Sequence, residues 1–446
     1  MELDMTKGKP LGLIARFIIP LVIGNVFQQL YNMVDTVIVG QFVGVKALAA
    51  VGATGTIMFL ILGFMQGLTM GFTVLTSQRF GAGDEDGMRK SVGAAVVLSC
   101  VFTVIMTLAS VAGMRGLLQI MRTPADIFEM SWQYIVIICG GMGCTVLYNL
   151  MASILRAVGN SKIPLYFLIV SAVTNIILDL VFVLGFQMGV AGAAWATVIS
   201  QGLSGALCVL YVLKKVAVLR LERRHFAPDA HLMVLQLSIG LPMAFQFSIT
   251  AVGTIMVQAA LNMLGSTAVA AYTAASKVEQ LVTQPFVALG MTMATYAGQN
   301  RGINAYDRIR QGARCALAIS TIYALVVFAL IMVFQHNLIA MFVSENLAEI
   351  EQYTEIYLFL CGCFFTPLGM IFIYRNLLQG CGYALIPTAG GVVELASRAV
   401  VAVTAAYYKS FAGVCAANMS AWLTAGIFLW VSYLVIFRGV RKRGHF

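Results

Sequence analysis

The sequence predicts an all-α integral membrane protein with twelve transmembrane helices, in two six-helix bundles related by a pseudo-two-fold axis along the membrane normal. Composition, the placement of Lys and Arg, and an internal repeat support this fold. Of 446 residues, 60% are hydrophobic and only 10% are charged. A soluble domain carries roughly a quarter charged residues. Because one span takes about 20 apolar residues, the chain has room for about a dozen spans and no large extramembrane domain.

Apolar runs broken by charged or turn residues mark the expected helices. They lie near residues 13–42, 47–76, 91–121, 131–155, 164–185 and 189–213, and then near 232–264, 268–298, 313–335, 353–379, 387–408 and 411–436. A polar stretch separates the two sets. We therefore expect an N-terminal lobe at 1–213, a cytoplasmic linker at 214–231 and a C-terminal lobe at 232–446.

Basic residues predict the orientation, since short cytoplasmic connections hold an excess of Lys and Arg. With the N-terminus inside, 22 basic residues fall on the inner side and 4 on the outer side, and Lys277 and Arg398 lie within helices, which accounts for all 28. We expect a multi-pass protein of the cytoplasmic membrane with both termini in the cytoplasm.

The two halves repeat each other at a shift of about 222 residues. Matched positions keep their order along the chain, as in Pro20 with Pro242, Gln78 with Gln299, Tyr134 with Tyr357, Gly159 with Gly382 and Pro164 with Pro387. Six helices separate equivalent positions, so both copies enter the membrane from the same side. Such a parallel repeat predicts two bundles around a central cleft.

Two acids and their neighbouring amides form the candidate ion site of the first lobe. Gln28 precedes Asp35 by seven residues, which places both on one helix face, and Asn175 precedes Asp179 by four. Intramembrane acids are costly and therefore functional candidates. With both acids in the outer half of their helices, the carboxylates could hold a proton or a dehydrated Na⁺ at Asp35, Asp179 and Asn175. Hydrogen bonding of each acid to a neighbouring helix is the purely structural alternative.

The second lobe carries different residues at the matched positions. Glu394 and Arg398 are four apart and can pair within one helix, whereas Lys277 and Glu279 face different directions. Glu279 could meet Arg398 across helices. We keep two interpretations of these residues, an ion-paired core or a site for ion or substrate.

The sequence gives little support to other classes of protein. No basic face with aromatic readers favours a nucleic-acid partner, and the nine cysteines show no zinc spacing. A membrane-embedded enzyme would lack an intramembrane histidine, a GxSxG elbow and a phosphate loop. Flipping of a lipid-linked precursor stays an alternative, although only Lys277 and Arg398 would be available for a pyrophosphate.

Five stretches together resemble the multidrug and toxic compound extrusion (MATE) transporters. They are 28–40 (QQLYNMVDTVIVG), 47–52 (ALAAVG), 155–160 (LRAVGN), the pair Asn175 and Asp179, and 191–197 (AGAAWAT). The resemblance covers essentially the whole chain. It implies that Gln28, Asp35, Asn175, Asp179 and Thr197 fall on a coupling site for a cation or proton.

The resemblance also implies antiport, in which organic, often cationic or amphiphilic compounds leave as Na⁺ or H⁺ enters. Some family members carry an acid in the seventh helix, where the nearest polar residue here is Gln246. Glu279 and Glu394 remain substitutes for it. We thus expect a monomeric secondary antiporter for small molecules in membrane lipid, with no nucleic-acid partner and no cofactor beyond the coupling ion.

Overall fold

The computed structural model describes residues 3–227, 229–340 and 347–442, which form helices and connections without a strand. The helices of the N-terminal half are α1 (Pro10–Ile38), α2 (Val45–Phe72), α3 (Val74–Gly81), α4 (Glu85–Ile120), α5 (Phe128–Gly140), α6 (Met142–Ala157), α7 (Lys162–Asp179) and α8 (Val190–Lys215). Those of the C-terminal half are α9 (Ala230–Asn262), α10 (Ser266–Val282), α11 (Gln284–Gly302), α12 (Tyr306–Ala340), α13 (Leu347–Gly380), α14 (Leu385–Tyr407) and α15 (Phe411–Lys442).

Within the described ranges, 10 helices are long and apolar enough to cross a membrane, or up to 11 if the pair α5 and α6, bent by 47°, forms one span. The remaining predicted span, 268–298, corresponds to α10 and α11. These two helices are not among the 10 or 11 spans because they contain many small and polar residues, Lys277 and Glu279 among them, and are therefore less apolar.

Three predicted spans are each divided in two by the structure, at Thr73, Gly141 and Thr283. A Cβ added at Gly141 would lie 2.4 Å from the Val198 side chain, so the bend brings the α5–α6 backbone directly against α8. At the third break, Pro285 occupies the first turn of α11. Proline has no N–H to give to a preceding turn, so a new helix begins there.

The chain forms two compact units, and the boundary runs through helices α1 and α9. The first unit contains residues 1–4 and 19–247, and the second contains 5–18 and 248–446. The sequence instead placed the division at the linker, 214–231. The linker and the first half of α9 therefore belong to the first unit, and the first turns of α1 belong to the second.

Specific contacts explain both assignments. In the first unit, the buried Gln236 side chain of α9 donates to the carbonyls of Phe72, at 3.1 Å, and Ser91, at 2.8 Å. In the second unit, the Met5 carbonyl accepts from Asn300 and Arg308, each at 3.1 Å. Hydrogen-bonded contacts of this kind between distant parts of the chain leave no signal in helical periodicity.

Two helices of the first unit end in π-helical turns. Val39–Val43 follows α1 and Leu180–Gly185 follows α7, and the two turns pack against each other. Their matched helices, α9 and α14, both end in the second unit and stay α-helical to their ends. Since π-turns occur frequently at functional sites, this difference directs attention to the residues just before them.

Candidate functional site

The centre of the candidate site is a pair of carboxyl groups in the first unit. Asp35 lies one turn before the π-turn of α1, and Asp179 is the last residue of α7. The two carboxyl groups lie within hydrogen-bonding reach of each other. Asp179 is fully buried, and in the described ranges neither of its oxygens nor Oδ1 of Asp35 has a hydrogen-bond partner.

This arrangement restricts what the pair can bind. Ionised carboxylates only accept hydrogen bonds, and two like charges at this distance cannot both stay ionised in an apolar site without compensation. Contact between the two groups therefore requires a shared proton or a cation held by both. Because the protein supplies no donor to Asp179 from the part of the chain described, the compensating charge must be exchangeable.

An apolar cluster holds the backbone around the pair. Val39 and Val183, one from each π-turn, pack with Tyr134 of α5 and with Ala193 and Ala194 of α8. The two alanines are fully buried. Small side chains let α8 approach the π-turns closely, so the packing fixes where α1 and α7 end and therefore where the two carboxyl groups lie.

Aromatic and amide side chains form the polar surroundings. Tyr31, one turn before Asp35, receives a long hydrogen bond of 3.5 Å from the Gln201 amide of α8. Its hydroxyl also lies within hydrogen-bonding reach of Gln28. Tyr134 lies close enough to both acids for direct electrostatic interaction. Polar side chains of α1, α5 and α8 thus lie near the carboxyl pair, either in electrostatic range of it or hydrogen-bonded to Tyr31.

Most predicted residues of this site are brought together. Gln28 reaches the group through Tyr31, and Asn175 is buried one turn before Asp179, with neither amide atom hydrogen-bonded in the described structure. Thr197 donates its hydroxyl to the Ala193 carbonyl at 3.1 Å. Its oxygen can still accept or bind a cation.

Sequence reasoning missed three members of the site, namely Tyr31, Tyr134 and Gln201. A signal for two of them exists in the spacing. Tyr31 lies three residues after Gln28 and four before Asp35, and Gln201 lies four after Thr197, so each shares a helix face with a predicted residue. Tyr134 was recognised only as a repeat landmark.

The charged residues of the second unit form an ion-paired cluster. Glu394 binds Arg398, as the sequence predicted, and also Arg375 of α13, each at 2.7 Å. All three side chains are at most 10% exposed. Arg375 is one of the 22 basic residues that the sequence assigned to the inner side, but it lies within α13, which continues to Gly380. Two cations are therefore held by one buried carboxylate.

The other residues predicted for the polar site of the second lobe do not lie together. Glu279 accepts a short hydrogen bond from the Tyr357 hydroxyl, and it lies close enough to Arg398 for electrostatic interaction. Lys277 is exposed. Gln246 falls in the first unit rather than with this cluster. The group predicted as one polar site is therefore a cluster of Glu279, Glu394 and Arg398, without Lys277 or Gln246.

Comparison with known proteins agrees with both the repeat and the fold. The MatE family profile matches the chain twice, at residues 20–181 and 242–404. The probable multidrug resistance protein YoeA of Bacillus subtilis is 32% identical over 74% of this chain and 73% of its own length. YpnP of the same organism, also a probable multidrug resistance protein, is 30% identical over 86% and 85%.

A solved structure shows the same fold. It is an outward-facing multidrug resistance MATE family transporter of the MOP superfamily, 22% identical, which superposes with a TM-score of 0.92 over 99% of both chains. The twelve-helix, two-bundle membrane fold expected from the sequence is thereby confirmed. The double profile match and the two relatives show that this chain belongs to the MatE family of multidrug and toxic compound extrusion proteins, which are membrane transporters and not enzymes.

Proposed function

We propose that this protein is a secondary antiporter of the cell membrane that exports organic cationic or amphiphilic compounds in exchange for H⁺ or Na⁺. Asp35 and Asp179 form the coupling site, and both termini lie in the cytoplasm. The observation that carries the proposal is the close approach of the half-buried Asp35 carboxyl to the fully buried Asp179 carboxyl, which has no donor in the described chain. The names of the relatives, multidrug resistance proteins, support the substrate class.

Coupling follows from the position of the pair. One carboxyl group belongs to α1 and the other to α7, so a proton or cation between them holds the two helix ends together. Its loss leaves two like charges that repel each other. The adjacent π-turns give both helix ends a place to adjust. Export can be driven if the ion and the substrate bias the two access states in opposite directions.

The geometry favours a proton as the coupling ion. Carboxyl groups that approach within hydrogen-bonding reach need one hydrogen between them, whereas a hard cation is best held by several oxygen ligands around it. Of the predicted Na⁺ ligands, Asn175 keeps both amide atoms without a partner in the described structure. Its oxygen supplies a ligand if Na⁺ binds instead.

Flipping of a lipid-linked precursor is disfavoured by the second unit. An anionic headgroup would need cations that are free to bind it, but Arg375 and Arg398 are both hydrogen-bonded to Glu394. Breaking a buried pair costs about 3–5 kcal/mol. The cluster is therefore better suited to hold the helices together than to bind a diphosphate.

The test is transport in sealed proteoliposomes loaded with a fluorescent organic cation, with a pH gradient or a Na⁺ gradient imposed separately. We expect the pH gradient to drive export and the Na⁺ gradient to have a smaller effect. Asp35→Asn and Asp179→Asn should each reduce the gradient-driven rate at least tenfold, because the neutral amide cannot exchange a proton.

Asp126→Asn is the matched control, since Asp126 is an exposed carboxylate in a connection, and it should transport as the wild type does. Asp35→Asn or Asp179→Asn protein that is folded and transports at the wild-type rate would refute the site. Equal rates with no gradient and with either gradient would refute antiport.

A further inference from the structure

The first unit contains a second feature that the transport proposal does not use, an apolar cavity of about 570 Å³ on the side of the bundle next to the linker. It lies among α4, α6, α8 and the linker, and its opening is part of the unit's surface. Lining residues from the linker are Leu219, Leu221 and Phe226, and Gly143 of α6 lines the wall. The volume falls in the range of small-molecule sites, about 300–1,000 Å³.

Two hydroxyl groups interrupt the apolar wall. Ser99 and Thr103, one turn apart on α4, both line the cavity. Neither hydroxyl has a hydrogen-bond partner in the described part of the chain, and Ser99 is only 3% exposed. A buried hydroxyl without a partner costs about 1–3 kcal/mol, so a ligand with an acceptor group at this depth would compensate for it.

The end of α8 and the linker after it place positive charge next to the cavity. Lys214 and Lys215 follow the lining residue Leu213 directly, and Arg220 lies between the lining residues Leu219 and Leu221. All three side chains are exposed, and none forms an ion pair with the described residues. An apolar cavity with exposed cations beside it suits an amphiphilic ligand with an anionic headgroup.

The linker is docked firmly enough to form part of such a site. Arg89 of α4 donates to the Val218 carbonyl at 3.0 Å. A Cβ added at Gly93 would lie 2.0 Å from the His225 carbonyl oxygen, so the linker backbone rests on α4 at this glycine. Ser99 lies six residues further along α4, about 9 Å from Gly93 along the axis.

We propose that this cavity binds an anionic membrane phospholipid. An acyl chain occupies the apolar volume between α4, α6 and α8, and the ester carbonyls accept from Ser99 and Thr103. The phosphodiester lies beside Lys214, Lys215 and Arg220. The depth of Ser99 below the linker agrees with ester groups that lie just inside a headgroup layer of about 5–7 Å, and basic pockets on the cytoplasmic side of helix bundles suit anionic headgroups.

The test is native mass spectrometry of the purified full chain, titrated with phosphatidylglycerol or with phosphatidylcholine of identical acyl chains. We expect phosphatidylglycerol to bind at least fivefold more tightly. Gly143→Leu should weaken its binding at least tenfold, because a Cβ at Gly143 meets only Thr103, at 3.7 Å, and a larger side chain at this lining position takes up cavity volume.

Gly140→Leu is the matched control, since Gly140 has nothing within 4 Å of an added Cβ and does not line the cavity. It should bind lipid as the wild type does. Lys214→Gln with Lys215→Gln should lower the affinity for phosphatidylglycerol about fivefold for each lysine removed and leave phosphatidylcholine unchanged. Lys9→Gln with Lys162→Gln, an equal loss of charge elsewhere, should change neither.

A phosphatidylglycerol that carries a diazirine in its acyl chain locates the site. Crosslinks should map to peptides of α4 and α6 and disappear in Gly143→Leu. Equal affinity for the two lipids, undiminished binding to Gly143→Leu, or crosslinks elsewhere would each overturn the proposal. So would displacement of the lipid by the fluorescent organic cation, which would assign the cavity to substrate.

Discussion

In the first unit Asp35 and Asp179 face each other, and Asp179 receives no hydrogen bond from the described chain, whereas in the second unit Glu394 is held by two guanidinium groups at 2.7 Å. Both arrangements place acids inside a repeated fold, with Asp179 and Glu394 buried and Asp35 half-buried. They differ in where the compensating charge comes from. A carboxylate that already has two fixed cations is a structural element, whereas a carboxyl pair without them depends on an ion from outside.

The backbone next to the acids also differs between the two units. The helices that carry Asp35 and Asp179 end in π-helical turns, and their counterparts α9 and α14 do not. π-helical turns occur mostly as single turns within α-helices, and frequently at functional sites. The exchangeable charge and the π-helical turns therefore lie in the same unit. The second unit combines fixed ion pairs with matched helix ends that lack such turns.

Neutralising one acid in each unit tests the difference between the two units most directly. Glu394→Gln leaves two buried guanidinium groups without their carboxylate, and we expect a loss of about 3–5 kcal/mol of stability. Asp179→Asn removes a carboxyl group that has no protein donor in the described chain, so we expect a change within about 1 kcal/mol. Thermal unfolding in detergent, followed by intrinsic fluorescence, measures both.

The reverse order, a stable Glu394→Gln and an unfolded Asp179→Asn, would contradict the assignment of structural and exchangeable acids. Combining Glu394→Gln with Arg375→Met provides the control. It removes one of the two uncompensated cations and should recover part of the lost stability if the ion pairs, rather than the volume of the side chain, are responsible.

A glycine in α9 gives a second, smaller test of how tightly the second unit is built. A Cβ added at Gly253 would lie 2.2 Å from Nη1 of Arg398, so Gly253→Ala must displace a guanidinium that is bound to Glu394. We expect a destabilisation of about 1–3 kcal/mol, seen as a lower unfolding temperature.

Gly52→Ala, in α2 of the first unit, is the matched control because an added Cβ there meets nothing within 4 Å. Replacing glycine within a helix by alanine is favourable by roughly 0.5–1 kcal/mol when space allows. The two substitutions should therefore act in opposite directions. A Gly253→Ala protein as stable as the wild type would show that the Arg398 side chain is free to move.

Local patterns predicted the parts of the site that lie on one helix. The spacings of Gln28 and Asp35, of Asn175 and Asp179, and of Glu394 and Arg398 each define one helix face. Composition and the repeat predicted the twelve-helix fold, because apolar length and matched landmarks are properties of the chain itself.

Such local patterns could not predict contacts between residues on different helices. Arg375 lies 19 residues before Glu394 on another helix, and Tyr357 lies 78 residues after Glu279. Only the packed structure shows which helix faces meet. Local patterns also could not predict that the first part of α1 belongs to the second unit and the first part of α9 to the first. For α9, the assignment depends on close approach at sites such as Gly71, where an added Cβ would lie 2.4 Å from Gly240 Cα.

Removing one hydroxyl group in each unit should affect stability least in the first unit. Tyr357→Phe takes the hydrogen-bond donor from Glu279, a partly buried carboxyl that accepts from it directly, and the loss of a partner for such a group costs about 1–3 kcal/mol. Tyr31→Phe removes a hydroxyl whose resolved bond, from Gln201, is long at 3.5 Å. We expect it to change stability by less than about 0.5 kcal/mol while altering the pH dependence of transport, since Tyr31 adjoins Asp35. Unfolding temperatures of the two variants, measured with their transport rates at several pH values, separate the two roles. A larger loss of stability in Tyr31→Phe than in Tyr357→Phe would mean that the first unit, too, uses its polar side chains mainly to hold its helices together.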